Sequence, residues 1–175
     1  MHNVKGLSRT PSVNKHHQLA TFAAGCFWSA QLHFKCVTGV LNTQVGFMNG
    51  RTHNPTFEEV CADTTGHALV VQITFDDTAV SYDDLLEYFW SIHTAYDGLG
   101  EMDLGGPHRS GIYFHSEAQH EAAVASKTKH EALLARETWT EIAPAGTFYP
   151  ADDYHQRYLE KGGQCVHGDK HPCCG

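Results

Sequence analysis

The residues with the clearest capacity for chemistry are Gly25-Cys26-Phe27-Trp28 and a cysteine cluster near the C-terminus, Cys165, Cys173 and Cys174. Cys26 stands immediately before a predicted helix, where unpaired backbone N–H groups and the positive end of the helix dipole stabilise a thiolate. A thiolate is the reactive form in nucleophilic attack and thiol–disulfide exchange. Phe27 and Trp28 are consecutive large aromatics where a helix usually opens with polar residues, which fits a small apolar pocket against the sulfur. The same residue types also fit a buried cysteine between two core aromatics, and residue type alone leaves both readings open. The terminal pattern Cys165-x-His167-x₃-His171-x-Cys173-Cys174 offers thiols for exchange and can also be read as zinc ligands, although it lacks the common Cys-x₂-Cys pairs.

The elements that must position these groups follow from apolar spacing and turn residues. Leu19 to Ala24 reads as a strand ended by Gly25, and Trp28 to Phe34 as a helix, so Cys26 falls at a strand-to-helix turn. Gly39 to Phe47 and His67 to Phe75 read as strands, with Asn49-Gly50 as a turn between them. Ser81-Tyr82-Asp83-Asp84 resembles a capping box that opens a helix with Leu85, Leu86, Phe89 and Trp90 on one face. Arg109 to His115 reads as a strand, Ser116 to about Arg136 as an Ala-rich helix, and Thr138 to Ala143 as a last strand. Tyr158 and Leu159 are expected on a short helix. Cys36 and Cys61, in apolar settings, are expected to be structural. The pattern predicts an α/β (α+β) fold with a mixed sheet and helices packed on it.

Composition narrows the function classes. The 175 residues suit one core, able to bury roughly 70% of the unfolded surface. The formal charge of -8, with only 12 Lys and Arg, argues against nucleic acid or an anionic membrane as partner. No secretory h-region and no long apolar run is present, so a cytoplasmic protein is expected. In a reducing compartment, three cysteines crowded into the last eleven residues are not structural staples. The expected organisation is a flexible leader over 1–17, a catalytic domain over 18–161 and a mobile Cys/His-rich tail over 162–175.

Gly25-Cys26-Phe27-Trp28, Gly39-Val40, Asn54-Pro55-Thr56, Val60-Cys61, Thr65-Gly66-His67-Ala68, Phe89-Trp90, Asp103, Arg109-Ser110, Phe148-Tyr149 and Tyr158-Leu159 occur in one order over residues 19 to 165. Together they resemble the A-type peptide methionine sulfoxide reductases. The resemblance implies a two-layer sandwich with a mixed sheet, ferredoxin-like, and a cofactor-free, metal-free monomeric oxidoreductase. It implies that Cys26 attacks the sulfoxide sulfur, that Phe27 and Trp28 hold the S-methyl group, and that Cys26 becomes a sulfenic acid. Cys165 would resolve that acid as a disulfide, and Cys173 or Cys174 could pass the disulfide to thioredoxin.

The family also supplies proton donors around the sulfoxide oxygen, and here the sequence departs from it. Leu69 stands in place of a glutamate, Phe57 in place of one tyrosine and His108 in place of another, while Asp103 remains. Ser29 and Gln31 replace the usual glycine and glutamate after the signature tryptophan. Removing a positioned acid typically costs 10²- to 10⁴-fold in rate. Two explanations are open: His108 serves as the acid, or the substrate brings its own proton, as an oxidised thiohistidine or other thioimidazole would. Leu69 and Phe57 would then shape the pocket. A redox or zinc sensor on the same scaffold is the alternative from a different class. His67 and Arg109 are expected to support the site structurally.

Overall fold

The structure, a computed structural model, describes residues 15–93 and 106–163. Among the described residues, six strands and four helices follow in the order β1 (His17–Ala24), α1 (Phe27–Lys35), β2 (Val40–Met48), α2 (Phe57–Cys61), β3 (Ala68–Asp76), α3 (Tyr82–Ser91), β4 (Ser110–Phe114), α4 (Glu117–Leu134), β5 (Glu141–Pro144) and β6 (Tyr149–Pro150). They form one mixed sheet in the order β5-β4-β1-β3-β2-β6, with β4 and β5 parallel and the other pairs antiparallel.

Side chains alternate across a strand, and β3 shows the result. Leu69, Val71, Ile73 and Phe75 enter the larger core, while Ala68 and Val70 enter a smaller one. The larger core also holds Ala30 and Phe34 of α1, Val60 of α2, Leu85, Leu86 and Phe89 of α3, and Ala123 of α4. All four helices therefore cover one face of the sheet, the two-layer arrangement expected. Phe22 on β1 stacks at 5.2 Å on both Phe34 and Phe89, joining α1 and α3 through the sheet. Each such ring contributes about 1.5–3 kcal/mol by burial.

Local chemistry sets the helix ends. The Ser81 hydroxyl accepts from the Asp84 N–H at 3.0 Å and the Asp84 carboxylate accepts from the Ser81 N–H at 3.2 Å, a reciprocal capping box. At α4 the box is only half made. Ser116 accepts from the Gln119 N–H, but Gln119 Oε1 accepts from the His115 N–H, and its amide donates to the Leu19 carbonyl.

Several sequence expectations are corrected. The last expected strand begins three residues later, at Glu141, because Thr138 is held by the Glu131 carboxylate and Thr140 by the Ser110 hydroxyl. No helix includes Tyr158 and Leu159. Residues 153–162 run as successive turns, with Arg157 at φ 54° and Gly162 at φ 92°, a left-handed backbone that breaks any helix. Cys36 and Cys61 are exposed, at the C-cap of α1 and the last position of α2, because Phe34 and Val60 take the inward positions there.

Candidate active site

Cys26 owes its position to the turn before it. Ala24, paired with Ser110, ends β1, and Gly25 takes φ 80°, a left-handed conformation open to glycine without strain. Cys26 then occupies the N-cap of α1 with extended backbone, and its carbonyl accepts from the Ala30 N–H at 3.2 Å. Its side chain makes no capping hydrogen bond and the first turn carries no acidic residue. The helix end is thus left to favour negative charge at the sulfur of this half-buried residue.

Beyond the sulfur the walls are aromatic. Phe27, 2% exposed, lies 5.7 Å from the Phe57 ring and 6.0 Å from Phe47 on β2. Trp28 stacks on Tyr158 at 4.0 Å and on Phe57 at 5.9 Å. His155 completes the group, with its ring 4.2 Å from Phe57 and 5.7 Å from Trp28. The Trp28 indole Nε1 donates to His155 Nδ1 at 3.2 Å. Burial pushes the His155 imidazole pKa down, against the smaller upward pull of Glu58 and Asp152, and so favours the neutral ring.

Leu69, 2% exposed, pairs with Phe47 across β2 and β3 and shares its buried cluster with Phe27. Its N–H donates to the Pro107 carbonyl at 2.9 Å. This tie brings the half-buried His108, next in the chain, to the start of β3. The structure therefore gathers Phe27, Trp28 and Phe57 around the helix start and sets Leu69 in the adjoining core. Asp103, Cys165, Cys173 and Cys174 lie outside the described residues, as do His167 and His171. No cluster of metal-ligating side chains occurs among the described residues.

Three polar supports hold the frame. The buried Gln31 accepts from the Arg157 N–H at 2.7 Å and donates to the Thr43 carbonyl at 3.2 Å, pinning the segment that carries His155 and Tyr158 to α1 and β2. His67, 3% exposed, accepts from the Gly50 N–H at 2.9 Å and lies 2.8 Å from the Thr52 carbonyl. A Cβ at Gly50 would sit 2.3 Å from the His67 ring, so only glycine fits that approach. Arg109 pairs with Glu141 at 2.9 Å and donates to the Gly106 carbonyl.

Sequence reading missed His155 and Tyr158 as members of the aromatic group. Their contacts with Trp28 span well over a hundred residues, and only the aromatic spacing Tyr154-His155-x-x-Tyr158 hinted at them.

Comparison with known proteins points to one family. Residues 18–170 match the family model described as peptide methionine sulfoxide reductase. A peptide methionine sulfoxide reductase of Geobacter sulfurreducens is 49% identical over 159 residues, covering 87% of this chain and 97% of that protein. One of Lactuca sativa is 46% identical over 149 residues, covering 84% of this chain, which spans only 57% of the lettuce protein's length. Among solved structures, methionine sulfoxide reductase A of Corynebacterium diphtheriae superposes with a TM-score of 0.75 at 31% identity, over 89% of this chain and 80% of that one.

Proposed function

The chain belongs to the peptide methionine sulfoxide reductase family, and from that premise we propose that it is an oxidoreductase that reduces the S-epimer of methionine sulfoxide through Cys26. The Cys26 sulfur attacks the sulfoxide sulfur, the substrate's S–O bond breaks, and oxygen passes to Cys26. The products are methionine, reduced by two electrons, and Cys26 sulfenic acid, oxidised by two; the thiol proton ends on the sulfenic oxygen. Cys165 then displaces that oxygen as water and forms a disulfide. Cys173 or Cys174 carries the disulfide outward to a dithiol reductant of the thioredoxin class, which returns the thiols. The observation that carries this reading is Cys26 at the N-cap of α1 beside an aromatic group of Phe27, Trp28, Phe57, His155 and Tyr158.

One observation favours a second substrate class. Leu69 is buried among apolar groups where the family places its glutamate, and Phe57 lacks a hydroxyl. A sulfur oxide on a ring bearing an N–H, such as an oxidised thiohistidine, supplies its own proton and suits that apolar setting. Rates with dithiothreitol on methionine S-sulfoxide and oxidised thiohistidine, at equal concentration, separate the readings. Faster reduction of methionine sulfoxide supports the first and faster turnover of the ring compound the second. No turnover of either would contradict both and leave the non-enzymatic sensor.

A further inference from the structure

His155 has a ring nitrogen that the frame does not use. Its Nδ1 accepts from the Trp28 indole, which has only an N–H to give, so the proton of the neutral ring resides on Nε2. Nε2 has no hydrogen-bond partner among the described residues, yet it is not a sealed-off polar atom, because it is absent from the buried groups that lack partners. The residue is 7% exposed, and its ring lies against Phe27, Trp28 and Phe57, two of which directly follow the nucleophile.

From this geometry we infer that His155 donates a hydrogen bond from Nε2 to the substrate's sulfoxide oxygen, in the role that Leu69 cannot fill. The inference deepens the methionine sulfoxide reading and rests on it. As the Cys26 sulfur attacks, negative charge builds on the oxygen, and an N–H aimed at it in an apolar setting stabilises that charge. The imidazole need not give up its proton. A neutral imidazole acting as an electrophile is an established way to polarise an oxygen. Burial disfavours the charged ring here, which keeps the indole's acceptor at Nδ1 and the donor at Nε2 together. Oxygen still passes to Cys26, and His155 ends the step in the tautomer it began with.

Two substitutions divide the ring's functions. His155→Asn places an amide oxygen near Nδ1, so it can still accept from Trp28, but it has no donor at the ε position. His155→Gln places an amide N–H near Nε2 and gives up the acceptor at the δ position. The measurement is the single-turnover rate of sulfenic acid formation with methionine S-sulfoxide, alongside thermal melting and Cys26 alkylation to confirm an intact fold and nucleophile. The expected result is a loss of about 10²- to 10³-fold for Asn, with Gln within about tenfold of wild type. A residue that only holds the Trp28 ring gives the opposite order, Asn above Gln. That order, or two variants equal to wild type, overturns the inference and leaves the reductase reading intact. A wild-type protein silent on methionine sulfoxide overturns both.

Discussion

The Trp28 indole Nε1 and the His155 Nδ1 are joined by a hydrogen bond of 3.2 Å across 127 positions of sequence. This bond ties the residue two places after Cys26 to the segment that precedes Cys165 in the sequence. It also selects one tautomer of a buried histidine, so a single contact joins two rings of the aromatic group and sets the hydrogen-bonding character of one of them.

Leu69→Glu tests the reading of the apolar position in β3. A carboxyl buried there has its pKa raised and stays protonated near neutral pH, able to donate to an oxygen. The variant is expected to reduce methionine S-sulfoxide at least about tenfold faster, while turning over oxidised thiohistidine more slowly. Parallel assays on both substrates check this; unchanged rates on both would refute the role given to Leu69.

Gln31→Glu should destabilise the fold although glutamate is the residue that the family resemblance implies there. Gln31 uses its amide to donate to the Thr43 carbonyl and its oxygen to accept from the Arg157 N–H. A carboxylate keeps the second bond and sets its charge against the Thr43 carbonyl. The expected loss is about 1–3 kcal/mol, read by urea unfolding, with looser packing of Tyr158 on Trp28 visible in tryptophan fluorescence. Unaltered stability and fluorescence would show that the amide is dispensable.

His93 gives stability a specific pH dependence. Its Nδ1 donates to the Phe89 carbonyl at 2.7 Å and its Nε2 meets the Ser110 hydroxyl at 2.8 Å. Burial lowers its pKa to about 4 in the folded chain, against roughly 6.5 when unfolded. The unfolded state therefore binds the proton first. Stability from this group is complete above about pH 6.5 and declines as pH falls toward 4, by up to about 1.4 kcal/mol per pH unit. Urea unfolding from pH 7.5 to 4 should be steeper in wild type than in His93→Gln; parallel curves would assign the acid sensitivity elsewhere.

The capping box at Ser81 and the glycine turn before Cys26 are legible in the sequence because each is local. What escaped was short or distant. α2 has five residues and β6 only two, lengths at which no periodicity develops. The turns over 153–162 depend on the left-handed Arg157, a conformation that its residue type does not announce. The same limit hid His155. Tyr158 and Leu159 read as part of a short helix, whereas this segment runs as turns that set the His155 ring against the aromatic rings of α1 and α2.

Cys26 is the point on which the proposed chemistry turns. The most direct measurement adds excess methionine S-sulfoxide to reduced protein without any reductant, then counts methionine released and locates the oxidised cysteine by mass spectrometry. The chemistry predicts at least one methionine per wild-type chain, with oxidation at Cys26, and none from Cys26→Ser. Equal methionine release from Cys26→Ser would contradict it.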